Sequence, residues 1–306
     1  PLPNFRHLRY LVALADHLHF GRAAESCAVT QSTLSAGILE LEALLRVAVA
    51  ERTKRSVILT PVGHRLAERA RLLLREAEGL IDLAADASEP MSGLIDLGVI
   101  PTISPFLLPR LIPHLNRQFP LLRLTLREDK THALLEWLAA GRLDLVLMAF
   151  PYETPGCDTF MLFDDTYRFA CSTQHPLAEA DRVNIRALDG EALMFLEKEQ
   201  CLHSHALPLL EVAAEQAVTS FAATSLHTLV AMVAENLGTT LLPDLAINGG
   251  VLQGSAVAIR PLAGEANKRQ IGLAWRRQSA RADAFLRLGH LLKTWAATNV
   301  KPLDEH

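Results

Sequence analysis

The chain has 306 residues, half of them apolar and about a fifth charged, with a net charge of −4. That length exceeds what one core usually serves, so two or three domains are expected, and the composition excludes a disordered or fibrous chain. Residues 1–60 hold seven Lys+Arg against five Asp+Glu, a balance of +2 that leaves −6 on the rest; a mildly basic head on an acidic body suits a small DNA-binding module joined to a domain with another task.

From Phe5 to Leu18, the residues Leu8, Leu11, Val12, Ala15 and Leu18 recur at helical spacing. After Gly21 a second helix carries Ala23, Ala24 and Cys27. Val29 and Thr30 make a turn, and Thr30 is placed to cap a third helix with the apolar face Leu34, Ile38, Leu41 and Leu45. Glu51 to Thr60 reads as a hairpin, with a basic tip of Lys54, Arg55 and Ser56 ahead of the strand Val57-Ile58-Leu59. Residues 1–60 are therefore expected to be a winged helix-turn-helix.

Thr60-Pro61 starts the next helix, a capping hydroxyl followed by proline at the first helical position. The helix runs to about Ala87. Along it Leu66, Ala70, Leu73, Ala77, Leu80 and Ala84 alternate in steps of four and three, a heptad seam of nearly three repeats. Residues 61–90 are expected to form a linker helix that pairs two chains; packing on its own domain alone is the other reading.

Beyond Ser88-Glu89-Pro90, residues 91–306 alternate strands and helices. Strands are expected at Leu94–Val99, Leu122–Arg127, Leu143–Met148, Tyr167–Cys171, Leu193–Leu196, Thr239–Leu242 and Gln270–Trp275. Helices are expected at Phe106–Phe119, where two prolines near the start are tolerated, and at Ala133–Ala140, Leu207–Gln216, Ser225–Asn236 and Ala282–Ala297. This is an α/β effector domain long enough for two lobes like those of periplasmic binding proteins, with a ligand cleft between them. The whole is thus α plus α/β.

A basic segment leading into a long apolar core is absent from the start, and no run reaches about 18 apolar residues, so a cytoplasmic chain without a membrane partner is expected. Four cysteines at 27, 157, 171 and 201 make neither a disulfide framework nor C-x-x-C zinc spacing. Cys201, His203 and His205 would share one face of a strand, but three ligands without a fourth nearby make metal binding the weaker reading. Neither metal nor cofactor is expected. There is no phosphate-binding glycine loop, no G-x-S-x-G and no convincing carboxylate pair, so the chain does not read as an enzyme. A thiol peroxidase would also use one activated cysteine, yet it has no use for a helix-turn-helix.

The run Phe20, Arg22-Ala23-Ala24, Val29-Thr30-Gln31, Thr33-Leu34-Ser35, Leu41-Glu42 and Glu51-Arg52-Thr53 resembles the signature of the LysR-type transcriptional regulators. Leu11-Val12-Ala13-Leu14-Ala15, Met91-Ser92-Gly93, Ile100-Pro101-Thr102, Leu107-Leu108-Pro109, Thr131-His132, Cys201-Leu202 and Ala223-Thr224-Ser225-Leu226 extend the likeness over almost the whole chain, toward that family's hydrogen-peroxide-responsive members. The resemblance implies lobes of 92–163 plus 268–300 and of 164–267. It also implies a homodimer or homotetramer on double-stranded promoter DNA, with RNA polymerase as a further partner. Three departures bear on the DNA sequence read: Ser32 replaces a proline, Arg46 a glycine, and Leu39 and Glu40 a basic pair.

A recognition helix needs small polar groups where it meets base edges, and Gln31, Ser32, Thr33 and Ser35 supply them. Arg22, Arg52, Lys54 and Arg55 would hold phosphates and set the register; an internal pairing of Arg22 or Arg52 with Glu25 or Glu51 is the alternative. His17 and His19 read as structural.

For the effector domain, the resemblance implies that Cys201 is the thiol oxidised by peroxide. It further implies that Thr102, Thr131 and Arg269 line the pocket, the hydroxyls binding peroxide and the guanidinium favouring the anion. Ser204, with His203 and His205, adds polar groups beside the thiol. Thr102 has its own rationale, since it ends the domain's first strand, where open α/β sheets place ligands. The partner cysteine of the family lies nine residues on, where Leu210 stands; Gln200 and Ser204 also depart from the pattern. Cys201 is then expected to stop at sulfenic acid, to form a mixed disulfide with a small thiol, or to reach Cys157 or Cys171 after rearrangement. Oxidation would alter the loop from Glu197 to Pro208 and the spacing of the heads. The alternative is a small metabolite bound between the lobes. Cys27 reads as core, Cys171 as a buried strand residue, and Cys157 as an exposed residue of a Pro-Gly loop.

Overall fold

The computed structural model describes residues 2–52, 57–86, 91–184, 188, 193–196, 222–223, 225–263 and 267–303. Two compact units divide the chain. One is Pro1–Glu89 with Ala139–Arg142 and Ser279–Arg281; the other is Pro90–Leu138, Leu143–Gln278 and Ala282–His306.

The first unit holds α1 (Phe5–His17), α2 (Phe20–Ser26), α3 (Gln31–Leu45), the antiparallel strands β1 (Ala50–Arg52) and β2 (Val57–Leu59), and α4 (Pro61–Asp86). Each helix opens on a side chain that takes up orphan amides. Asn4 accepts from the His7 N–H, His19 Nδ1 from Gly21 and Arg22, Thr30 from Thr33, and Thr60 from Gly63. His19 is therefore a cap. Leu11, Leu14, Leu34, Ile38 and Leu41 are at most 1% exposed, each worth about 1.5–3 kcal/mol of burial. Two glycines permit this packing. A Cβ on Gly37 would lie 2.6 Å from the Tyr10 ring, and one on Gly63 2.0 Å from the Val49 carbonyl oxygen. Arg46 ends α3 in the left-handed region, φ 57°, which is why glycine suits that position.

The first half of α4 belongs to this core. Ala67 and Ala70 are buried against it, and Arg71 pairs with Asp16 of α1 at 2.5 Å. Farther along, Leu73, Leu80 and Ile81 are 56%, 67% and 70% exposed. The heptad positions thus divide, with Ala70 facing its own head and Leu73 and Leu80 uncovered.

The second unit carries, in chain order, β3 (Gly93–Val99), α5 (Ser104–Gln118), β4 (Leu122–Glu128), α6 (Thr131–Ala139), β5 (Leu145–Phe150), β6 (Cys157–Ser172), a 3-10 turn (Pro176–Glu179), β7 (Phe195–Leu196), β8 (Ala222–Ala223), α7 (Leu226–Ala234), β9 (Thr240–Pro243), α8 (Asp244–Asn248), β10 (Val257–Pro261), β11 (Lys268–Arg276) and α9 (Ala282–Asn299). Its main sheet runs β10-β6-β11-β5-β3-β4, with β9 also on β6. β3 is parallel to β4 and β5, and β11 runs antiparallel to β5 and β6. β6 serves both halves of the sheet: 157–166 pair with β11, and 167–172 lie between β9 and β10.

The strand expected at Tyr167–Cys171 is thus only the end of β6. Its first part is interrupted in sequence by Asp164-Asp165, residues that strands disfavour. β10 is likewise unforeseen, and α6 begins at Thr131 rather than Ala133. Pro109 and Pro113 lie inside α5, well past its start; each withholds an amide from the turn before it. The helix expected at Leu207–Gln216 lies outside the described residues.

Candidate functional site

Two parallel strands set the geometry of the effector-domain site. β3 and β4 are in register, Val99 opposite Glu128. Each is followed by a short link, and three residues on from each stand Thr102 and Thr131. Both side chains therefore reach the same sheet edge, at the carboxyl ends of the parallel strands where such sheets bind ligands. Thr102 lies in the turn between β3 and α5, not on the strand itself, and Thr131 is the first residue of α6. They are 2% and 1% exposed.

β11 runs the other way, so its first residues come to that same edge: Gln270 is paired with Phe150, the last residue of β5. This brings in Arg269, whose side chain is fully buried. Its Nη1 donates to Thr102 Oγ1 at 2.8 Å and its Nη2 to the Thr102 carbonyl at 3.3 Å. Its Nε donates to Asp165 Oδ2 at 3.0 Å. Asp165 stands directly across the ladder from Arg269, and its Oδ1 accepts the backbone N–H of Leu245, in the first turn of α8, at 2.9 Å. Burial raises the Asp165 carboxyl above the ordinary carboxylate range, while the Arg269 charge and the Leu245 amide pull it back.

Of the three residues that the resemblance implied, Arg269 and Thr102 are bonded to each other, and Thr131 begins α6 after the neighbouring strand β4. Asp165 was missed. The signal for it is in the sequence: an acidic pair at 164–165 inside one apolar strand and a basic pair at 268–269 opening another. A buried charge must be paired or bonded, so these two runs should face each other. Cys201 and Ser204 lie outside the described residues, as does the 197–208 loop.

Cys171 is fully buried in β6 and Cys27 half-buried at the end of α2. Cys157 departs from expectation. It is the first residue of β6, half-buried, and its Sγ–H points at the Pro155 carbonyl at 3.8 Å. Burial pushes its thiol pKa up, with Arg276 opposing. No group of three or more His, Cys, Asp or Glu among the described residues is arranged to hold a metal, and none of the described helices is long and apolar enough to cross a membrane.

In the head, Gln31, Ser32 and Thr33 are exposed on the first turn of α3, while Ser35 is half-buried and Leu34 is core. Thr30 Oγ1 stands 2.9 Å from Ser32 Oγ and 2.8 Å from Thr33 Oγ1, so the cap also holds these two hydroxyls in place. Arg22 is exposed and makes no ion pair with Glu25 among the described residues. Arg52 lies in β1, while Lys54 and Arg55 fall outside the described residues. Glu40 is bonded to His7 Nε2 of α1 at 2.9 Å, and Leu39 is 55% exposed.

The family model for the bacterial regulatory helix-turn-helix protein, lysR family, matches residues 5–64, and that for the LysR substrate binding domain matches 88–297. The hydrogen peroxide-inducible genes activator of Dickeya chrysanthemi is 43% identical over 273 residues, 89% of each chain. The HTH-type transcriptional regulator EstR of Acinetobacter baylyi is 38% identical over 297 residues, 97% of this chain and 98% of that one. Among solved structures, a full-length OxyR variant of Pseudomonas aeruginosa superposes with a TM-score of 0.80 at 32% identity, covering 96% of this chain and 95% of that one.

Proposed function

The chain belongs to the LysR family of bacterial helix-turn-helix transcription regulators, and from that premise we propose that it senses hydrogen peroxide through Cys201, without a second cysteine nine residues on. The observation that carries this reading is the hydroxyl of Thr102. It is buried, it accepts from Arg269, and its own proton meets no acceptor among the described residues. A donor held in this way suits a small oxygen ligand. Thr131 reaches the same edge, and Ser204 would complete the polar lining. In the reaction, the Cys201 thiolate attacks one peroxide oxygen, an S–O bond forms as the O–O bond breaks, and hydroxide leaves and takes a proton to become water. Sulfur is oxidised to sulfenic acid, which a small thiol can convert to a mixed disulfide with loss of water. Leu210 offers no thiol for a local disulfide.

The proposed DNA surface is Gln31, Ser32, Thr33 and Ser35 at base edges, with Arg22, Arg52, Lys54 and Arg55 on phosphates. The exposed run Leu73, Leu80 and Ile81 would pair two copies along α4, in a dimer or dimer of dimers on a two-fold-related site. The proposed boundaries are 1–60, 61–90 and 91–306, with lobes 92–163 plus 268–300 and 164–267. A small metabolite bound between the lobes is the second reading.

Intact mass of the reduced protein after one equivalent of hydrogen peroxide separates the two. One added oxygen or a thiol adduct, absent in Cys201→Ser, supports peroxide sensing. A Cys201 no more reactive than a free thiol in solution transfers the pocket to a metabolite.

A further inference from the structure

The Arg269 guanidinium is the centre of a buried cluster whose far side no functional role yet explains. Asp165 is wholly buried, in β6, and touches neither Thr102 nor Thr131 in any hydrogen bond among the described residues. Both of its oxygens are committed. Oδ2 takes the Nε–H of Arg269 at 3.0 Å and lies 3.0 Å from Nη2, while Oδ1 takes the Leu245 amide at 2.9 Å. With one edge of the guanidinium clasped by Asp165, Nη1 is left aimed at Thr102 Oγ1. A threonine hydroxyl has one proton and two lone pairs. Once Arg269 occupies a lone pair, the hydroxyl proton must point elsewhere, and the described protein offers it no acceptor. Thr102 is thereby set as a donor.

We propose that Asp165 is a positioning residue for peroxide reduction: by clasping Arg269 it fixes the Thr102 hydroxyl as a hydrogen-bond donor to the peroxide oxygen. The proposal rests on the peroxide reading above. In the attack of the Cys201 thiolate on hydrogen peroxide, the departing oxygen gains negative charge as the O–O bond breaks. A donor fixed before the reaction stabilises such charge without reorganisation. The hydroxide that leaves is then protonated to water. Asp165 also neutralises the guanidinium, so what Arg269 brings to the site is chiefly direction rather than net charge. The same carboxylate holds the first turn of α8, so the donor geometry is tied to the β6–β9–α8 half of the sheet.

The test uses full-length reduced protein and follows Cys201 with two electrophiles. Hydrogen peroxide needs a donor at its leaving oxygen; iodoacetamide, whose leaving group is iodide, does not. In Thr102→Val the peroxide rate should fall by about tenfold or more, as expected for loss of one aimed donor. Asp165→Asn should fall as far, and the double variant should be no slower than either single one, because both changes act through one hydroxyl. Iodoacetamide alkylation and its pH profile should stay within about threefold throughout. Asp165→Asn takes a carboxylate away from the buried Arg269 guanidinium and can fail to fold. Asp165→Asn combined with Arg269→Gln removes both charges and should fold, yet still react slowly with peroxide. A wild-type peroxide rate in either Asp165 variant overturns the proposal, and so does an equal loss with iodoacetamide, which marks a purely structural role. A wild-type Cys201 no faster with peroxide than a free thiol refutes the sensing function itself, and the proposal with it.

Discussion

The buried ion pair between Arg168 and Asp244 is the feature on which the stability of the effector unit can be tested most directly. Arg168 Nε and Nη2 meet the two carboxylate oxygens at 2.8 and 3.1 Å, and the side chains are 6% and 4% exposed. The last described residues close over the pair. The Leu303 carbonyl accepts from Arg168 at 2.6 Å, and the Leu303 N–H donates to Asp244 at 3.1 Å. Replacing Arg168 by Met keeps much of the volume but leaves the carboxylate buried with the Leu303 amide in place of a guanidinium. Breaking a buried pair from one side costs about 3–5 kcal/mol, roughly a 10²- to 10³-fold loss or more in the folding equilibrium. Removing both charges, in Arg168→Met with Asp244→Leu, should recover most of this, since the pair was desolvated at a cost of its own. Urea unfolding followed by tryptophan fluorescence is the assay. Trp137, Trp275 and Trp295 all lie in the second unit, so the signal reports that unit and not the head. A single-variant loss below about 1 kcal/mol, in the range of an exposed surface pair, would refute the reasoning. A double variant no more stable than the single one would refute it too.

Further outcomes follow from the same structure. Arg269→Gln removes the charge that holds down the Asp165 carboxyl, so burial raises that group further in the folded state. The folded variant then binds a proton that the unfolded chain releases, and its stability relative to wild type should fall as pH rises from about 5 to 8 in the same urea assay; a pH-independent difference would contradict this. Gly63→Ala sets a Cβ against the Val49 carbonyl at 2.0 Å, so the head should lose at least the about 1–3 kcal/mol typical of overpacking, seen as faster hydrogen exchange in α1 and α3. Arg46→Gly should act the other way, since an L residue in the left-handed region costs roughly 1–2 kcal/mol; slower exchange at the C-terminal end of α3 is the readout. Cys157 should alkylate more slowly than a free thiol at neutral pH, because burial raises its pKa; a faster rate would contradict that burial.

Local signals were legible along the chain wherever the local environment decides the structure. The cap at Thr30, the Thr60-Pro61 helix start, the apolar face Leu34–Ile38–Leu41 and the strand-helix alternation after residue 91 are each set by neighbours within a few residues, through amide satisfaction and side-chain period. Thr102 could be named from the family resemblance and because the carboxyl end of a first strand comes to the ligand edge of such a sheet, although it proved to stand in the turn after β3. What the sequence could not show was where a side chain finds its partner across the fold. Asp164-Asp165 breaks the strand pattern when read alone; it becomes a strand because Lys268 and Arg269 pair against it, more than a hundred residues later in the chain. The Cys157 strand was hidden for the same reason, since β11 supplies its ladder. Leu73 and Leu80 read as one seam with Ala70, yet the fold of the head covers only Ala70. Period and capping are properties of adjacent residues and belong to the sequence. The desolvation that makes Asp165, Arg269 and Thr102 one cluster exists only once distant strands have closed around them.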